Sequence, residues 1–249
     1  MAAPRSRTPL VIGIAVGVTC LVALLVIVLV VVVGGVTFWR SAAPGTSSDT
    51  TPGAHSEQTP GSGELVLPPG VAADQPYLEV STSDDGPVVD VYLDFLCPHC
   101  ATFHDAQGED LARLAQDGEI TLRMHPRPML DASSTPAGYS GRAANAAVCA
   151  YAEDEDPAQW AAAESALFTD QPDAAGLSDA ELSTRISQAT GLDVDECITE
   201  GTYLPWLREV VEPAAQATGQ GTPAVFIDDE QFTGDITAPG SLEEAIAAA

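Results

Sequence analysis

Apolar positions fall into two regimes along the chain. Residues 8–39 carry no charge, and 11–33 are almost continuous Val, Leu, Ile, Ala and Gly. As a helix this run is about 35 Å long against a hydrocarbon core of roughly 30 Å. The pattern predicts a membrane-spanning anchor over 10–39. A cleaved signal peptide is the rival reading, but its apolar region covers only about 7 to 15 residues. Arg5, Arg7 and the amino terminus precede the run and only Arg40 follows it. The positive-inside rule then keeps residues 1–9 in the cytoplasm and puts everything after Arg40 outside. Phe38 and Trp39 suit an aromatic anchor at the outer interface. The Gly13 to Gly17 spacing is too common in membrane helices to carry a role, and Cys20 reads as a small apolar residue within the span.

Residues 40–63 offer no large apolar side chain and cannot bury a core. They predict a flexible extracytoplasmic linker, with His55 a bystander. From 64 onward the apolar positions adopt short periods. Residues 87–96 are rich in Val, Tyr, Leu and Phe and read as a strand that Asp90 and Asp94 interrupt. A helix then begins at Cys97, with Pro98 at its first position and Cys100, Phe103, Leu111 and Leu114 on one face, until Gly118 stops it. A second strand is expected over 120–125. Helical patterns follow over 135–153, 157–168, 178–190 and 202–218, with a short turn over 195–200. Residues 224–227 and 231–233 read as a hairpin over Asp228, Asp229 and Glu230, before a last helix from Ser241. The order is strand, helix, strand, inserted helices, strand, strand, helix, an α/β class in one domain spanning 64–249.

Charge narrows the partners. All 36 Asp and Glu lie after Arg40, against six Arg and no Lys, a net of 6 − 36 = −30. Phosphate recognition needs cationic side chains, so a nucleic-acid role is excluded. A solvated acidic surface that aids solubility accounts for the balance.

The chemistry concentrates in Cys97-Pro98-His99-Cys100. A thiol at a helix N-terminus meets the positive end of the dipole and unpaired N–H groups, both of which favour thiolate. Cys97 is therefore the expected nucleophile. Cys100, one turn further in, is the buried thiol that resolves a mixed disulfide. The His99 imidazole, if protonated or donating a hydrogen bond, would stabilise the Cys97 thiolate further. A copper- or zinc-binding module using Cys97, His99 and Cys100 is the alternative from another class, with His104 one turn beyond. It lacks a second ligand pair, since His125, Cys149 and Cys197 have no ligand spacing of their own. On that reading His104 is an ordinary helix-surface histidine, and no dedicated metal is expected.

The segments D-F-L-C-P-H-C, R-P-M-L, S-G-R-A-A-N-A-A and G-T-P-A-V-F-I-D together resemble DsbA-type thiol-disulfide oxidoreductases. In particular the chain is similar to the membrane-anchored MdbA-type disulfide-forming enzymes of high-GC Gram-positive bacteria. The resemblance covers about 74–249. It implies a thioredoxin fold with a helical insertion over about 135–218, exchange at Cys97, resolution at Cys100 and no cofactor. It also implies a cis Thr222–Pro223 bond facing the cysteines, where the Thr222 backbone can pair with an extended, unfolded substrate. Asp94 resembles the acidic residue that many thioredoxin-fold proteins bury under the cysteines, positioned to relay a proton to or from Cys100; a solvent-exposed strand carboxylate is the other reading. Cys149 and Cys197 remain, and an oxidising compartment favours a structural disulfide between them over two buried thiols. The expected activity is donation of the Cys97–Cys100 disulfide to reduced exported proteins, with reoxidation by a VKOR-type or DsbB-type membrane oxidase. An isomerase or reductase on the same fold is the alternative, because direction depends on reduction potential.

Overall fold

The computed structural model describes residues 65–249. The anchor and linker expected over 10–63, with Cys20 and His55, lie outside the described residues. Among the described residues no helix is long and apolar enough to cross a membrane.

Two strands, β2 (Val88–Leu93) and β3 (Thr121–Pro126), lie parallel at the centre of a five-stranded sheet. They are joined by α1 (Pro98–Gln116). An edge strand, β1 (Leu78–Ser81), pairs antiparallel with β3, and β4 (Ala224–Ile227) pairs antiparallel with β2. A two-residue β5 (Glu230–Gln231) completes the order β1-β3-β2-β4-β5. Val89, Val91 and Leu93 are fully buried, which explains the apolar run. Asp90 is tolerated within it because its Oδ1 accepts from His125 Nε2 at 2.8 Å, and that imidazole stacks 3.9 Å from Tyr92.

The cap of α1 is Cys97, in an extended conformation, and Pro98 occupies the first turn, where a missing N–H costs nothing. Gly118, at φ 67, stops the run beyond it. Cys100, Phe103, Leu111 and Leu114 form the buried face as the 3.6 period requires. Gln107 joins them, donating to the Ile236 and Ala238 carbonyls and so tying α1 to the segment before the last helix, α7 (Ser241–Ile246).

Between β3 and β4 run α2 (Tyr139–Asp154), α3 (Pro157–Phe168), α4 (Asp179–Thr190) and α5 (Asp195–Glu200). They are followed by α6, built from an α turn Leu204–Trp206, a π turn Leu207–Val211 and an α end Glu212–Ala217. Several boundaries differ from the periodic pattern. The helix expected from Thr135 begins at Tyr139, because Gly138, at φ 104, stands in the left-handed region that a right-handed helix cannot include and caps it there. The continuous helix expected over 202–218 widens into the π turn just before Pro213, which cannot donate to the carbonyl four residues back. The hairpin is tighter than expected: only Asp228 and Asp229, both at positive φ, form its turn, and Glu230 already pairs with Ile227. Leu78–Ser81 has no counterpart in the expected elements, since four residues give too short an alternation to stand out.

Candidate active site

Cys97 and Cys100 lie unbridged at the head of α1, both buried. The Cys97 backbone N–H closes a turn on the Asp94 carbonyl at 3.0 Å, and its own carbonyl accepts from Cys100 N–H at 3.0 Å and Ala101 N–H at 3.2 Å. The Cys97 thiol lies 3.5 Å from the Thr222 carbonyl oxygen, across a cis Thr222–Pro223 bond. Its acidity is raised strongly, with the pKa pushed down to about 5. The Cys100 thiol, hydrogen-bonded to it, acts most; burial opposes; Thr222 and the backbone N–H groups of Cys100 and His99 add to the lowering. Among the described residues the buried Thr222 hydroxyl has no other hydrogen-bond partner. Cys100 moves the other way: burial, then its bond to the Cys97 sulfur, pushes its pKa far up, only partly opposed by the Asp94 N–H, which donates to Cys100 Sγ at 3.4 Å. One sulfur is thus held as thiolate and the other as thiol.

Pro98 and His99 are exposed. Among the described residues no hydrogen bond joins the His99 imidazole to Cys97, and the contribution of His99 is its backbone N–H. Asp94 is fully buried rather than solvated. Its Oδ1 accepts from Leu96 N–H at 2.8 Å and Ser140 Oγ at 2.7 Å, and its Oδ2 from Leu130 N–H at 2.8 Å. Burial still outweighs these donors and pushes its pKa up to about 6. The carboxylate therefore lies under the cysteine loop and also pins the segment after β3 and the start of α2.

His104 is not the surface histidine expected from its place on α1. It is half-buried, lies 3.1 Å from Glu164 Oε1 and stacks 5.2 Å from Phe168. Burial works against its charge, but the Glu164 bond and charge outweigh it and raise its pKa. Glu164 also accepts from Trp160 Nε1 at 2.7 Å, so the dyad joins α1 to α3. Among the described residues no three His, Cys, Asp or Glu side chains converge as a metal site.

Cys149 on α2 and Cys197 on α5 are disulfide-bonded, with Cα atoms 6.0 Å apart. Asn145 braces the bridge, donating to the Cys197 carbonyl at 3.3 Å and accepting from Tyr203 N–H at 2.8 Å. Sequence reasoning missed three contributors to the site: Ser140, the Leu130 N–H, and Gln171, whose Nε2 donates to the Phe95 carbonyl at 2.8 Å and the Cys97 carbonyl at 3.2 Å. A polar residue just beyond α3 carries no local signal of a contact 74 positions away.

Two thiols of opposed acidity at the head of the helix linking the central parallel strands, facing a cis-proline loop, define a thioredoxin-type dithiol site. Residues 83–248 match the Thioredoxin family, and the chain belongs to it. Among solved structures the chain is similar to the disulfide bond oxidoreductase DsbG of Mycobacterium tuberculosis, at 27% identity and TM-score 0.57, covering 70% of this chain and 85% of that one. DsbA of the same organism aligns at 25% identity and TM-score 0.56, over 70% of this chain and 89% of that one. The fold is shared with MdbA, a thiol-disulfide oxidoreductase of Corynebacterium diphtheriae, at 23% identity and TM-score 0.56, over 66% of this chain and 85% of that one. Among curated proteins, the serine/threonine-protein kinase PknE of Mycobacterium tuberculosis is 30% identical over 199 residues. That match takes in 76% of this chain, which spans about a third of the kinase's length.

Proposed function

We propose that the chain is a thiol-disulfide oxidoreductase that donates the Cys97–Cys100 disulfide to reduced exported proteins. The observation that carries the reading is the unbridged pair at the head of α1, with Cys97 facing the Thr222 carbonyl at 3.5 Å and Cys100 fully buried, a placement that pushes the Cys97 pKa down to about 5 and that of Cys100 up. A stabilised thiolate is a stabilised reduced form, and therefore an oxidising disulfide. In the forward direction a substrate thiolate attacks the Cys97 sulfur, the Cys97–Cys100 bond breaks, and Cys100 leaves and takes up a proton. The second substrate thiolate then attacks its own partner sulfur in the mixed disulfide, forming the substrate disulfide and releasing Cys97 as thiolate. Two electrons pass from substrate to enzyme. Cys97 is the better leaving group by virtue of its low pKa, which favours the second step.

The DsbA, DsbG and MdbA likenesses support this chemistry. The apolar run over 10–39 and the arginines around it support a single-pass anchor that holds the domain outside the cell membrane. Regeneration of the disulfide then falls to a membrane oxidase of VKOR or DsbB type. The direction is tested by equilibrating the protein with glutathione. A reduction potential more positive than about −200 mV is expected, whereas a value near −270 mV would make the chain a reductase.

A further inference from the structure

The loop that carries Thr222 hangs from a buried ion pair. Arg127 follows β3 directly and is 2% exposed. Its Nε and Nη2 donate to Glu212 Oε2 and Oε1, each at 2.9 Å, and its Nη1 donates to the Gln220 carbonyl at 2.7 Å. The Arg127 backbone N–H donates to the Leu93 carbonyl at 2.7 Å, which fixes the stem of the guanidinium to the end of the central strand pair. Glu212, itself buried, begins the segment of α6 beyond the π turn and takes a further bond from Gln216 Nε2 at 2.9 Å. Three elements therefore meet on one planar fork.

An ion pair buried this deeply is a poor source of stability. Apolar residues of similar volume in its place are commonly neutral or stabilising, whereas removing one partner alone is costly. What an apolar pair cannot do is hold the Gln220 carbonyl. The other hydrogen bonds of Gln220 are weaker tethers: its N–H donates to Thr218 Oγ1 at 3.3 Å and its side chain accepts from Gln231 at an exposed position. Gln220 stands two residues before Thr222, whose carbonyl lies 3.5 Å from the Cys97 sulfur. We infer that Arg127 is a positioning residue that sets the 220–222 backbone against Cys97 for extended polypeptide substrates, with Glu212 orienting its guanidinium. The inference rests on the thiol-disulfide reading above. A small dithiol needs only the sulfur, whereas a polypeptide also needs the loop backbone as a pairing edge. The clamp therefore acts on one substrate class and not on the other.

The test uses the full chain carrying Arg127→Met with Glu212→Leu, which removes both charges and so avoids an unpaired buried one. Initial rates of disulfide transfer are compared for a reduced cysteine-containing peptide and for dithiothreitol. The peptide rate constant should fall about tenfold, a loss equivalent to ~1.4 kcal/mol, while the dithiothreitol rate stays within about twofold. Hydrogen exchange over 218–224 should accelerate in the same variant. An unchanged peptide-to-dithiothreitol ratio in a folded variant overturns the inference, as does an equal fall with both reagents. If the double variant does not fold, Arg127→Lys keeps a charge for Glu212 but not the three-way fork, and the same ratio decides. Failure of the wild type to transfer its disulfide to either reagent would refute the functional reading instead, and the exchange of 218–224 would still report on the clamp.

Discussion

Cys97 and Cys100 stand one helical turn apart, and their surroundings drive their acidities in opposite directions. Replacing Cys97 with Ser should abolish transfer to a reduced substrate, while Cys100→Ser, incubated with a disulfide-containing substrate, should accumulate mixed disulfides on non-reducing gels, since the Cys97 thiolate can still attack that disulfide and no second thiol remains to resolve the product. Equal trapping by both variants would refute the assignment, and stronger trapping by Cys97→Ser would reverse it. His99 is the residue for which sequence and structure part. Its imidazole is exposed, and the group that acts on Cys97 is a backbone N–H that alanine also provides. Thiolate absorbance of His99→Ala should therefore titrate within ~0.5 of the wild-type midpoint near 5; a rise of a full unit would restore the imidazole to the mechanism. Asp94 gives a pH dependence of definite sign. Its folded-state pKa, about 6, lies above the ordinary carboxyl value of 3.8, with burial as the main cause. Its contribution to stability is therefore complete below about 4 and is lost as pH rises through about 6, on the order of 3 kcal/mol when fully ionised. Denaturant unfolding of the disulfide form, in which Cys97 does not titrate, should show this slope in the wild type and not in Asp94→Asn.

At the scale of elements, α1 was legible in the sequence because local rules act together on it: a capping position, a proline in the first turn, a 3.6 period and a glycine stop. Elements set by distant partners were less legible. The edge strand β1 is defined by pairing with β3, 40-odd positions away, and the π turn of α6 arises where Pro213 removes a donor. The junction after α3 has the same character. There Gln171 reaches back to the carbonyls of Phe95 and Cys97 and fastens the helical insertion to the cap of α1. Gln171→Ala should cost about 1–3 kcal/mol in chemical denaturation, since both carbonyls lose a donor and only that of Cys97 keeps others, the N–H groups of Cys100 and Ala101. A loss below ~0.3 kcal/mol would mean that water serves them equally well.

Across the whole molecule, the Cys149–Cys197 bridge closes a loop of 48 positions within the insertion, apart from the redox sulfurs. Removing both cysteines should lower stability by about 2–4 kcal/mol yet leave disulfide transfer at Cys97 largely intact, measured by thermal unfolding and by the dithiothreitol rate. Loss of transfer in a still-folded double variant would give the bridge more than a structural part. The sequence alone determined the redox motif, the helix it heads, the alternation of strands and helices, and the strongly acidic charge, because each is written in residue type and short-range spacing. Only the tertiary structure decided that Asp94 is buried beneath the cysteines, that His104 turns inward to Glu164, that the His99 ring stays in solvent, and that Arg127 carries the loop before Pro223. Each of those outcomes depends on groups brought together from distant parts of the chain, where burial and hydrogen-bond partners, not local propensity, set what a polar side chain does.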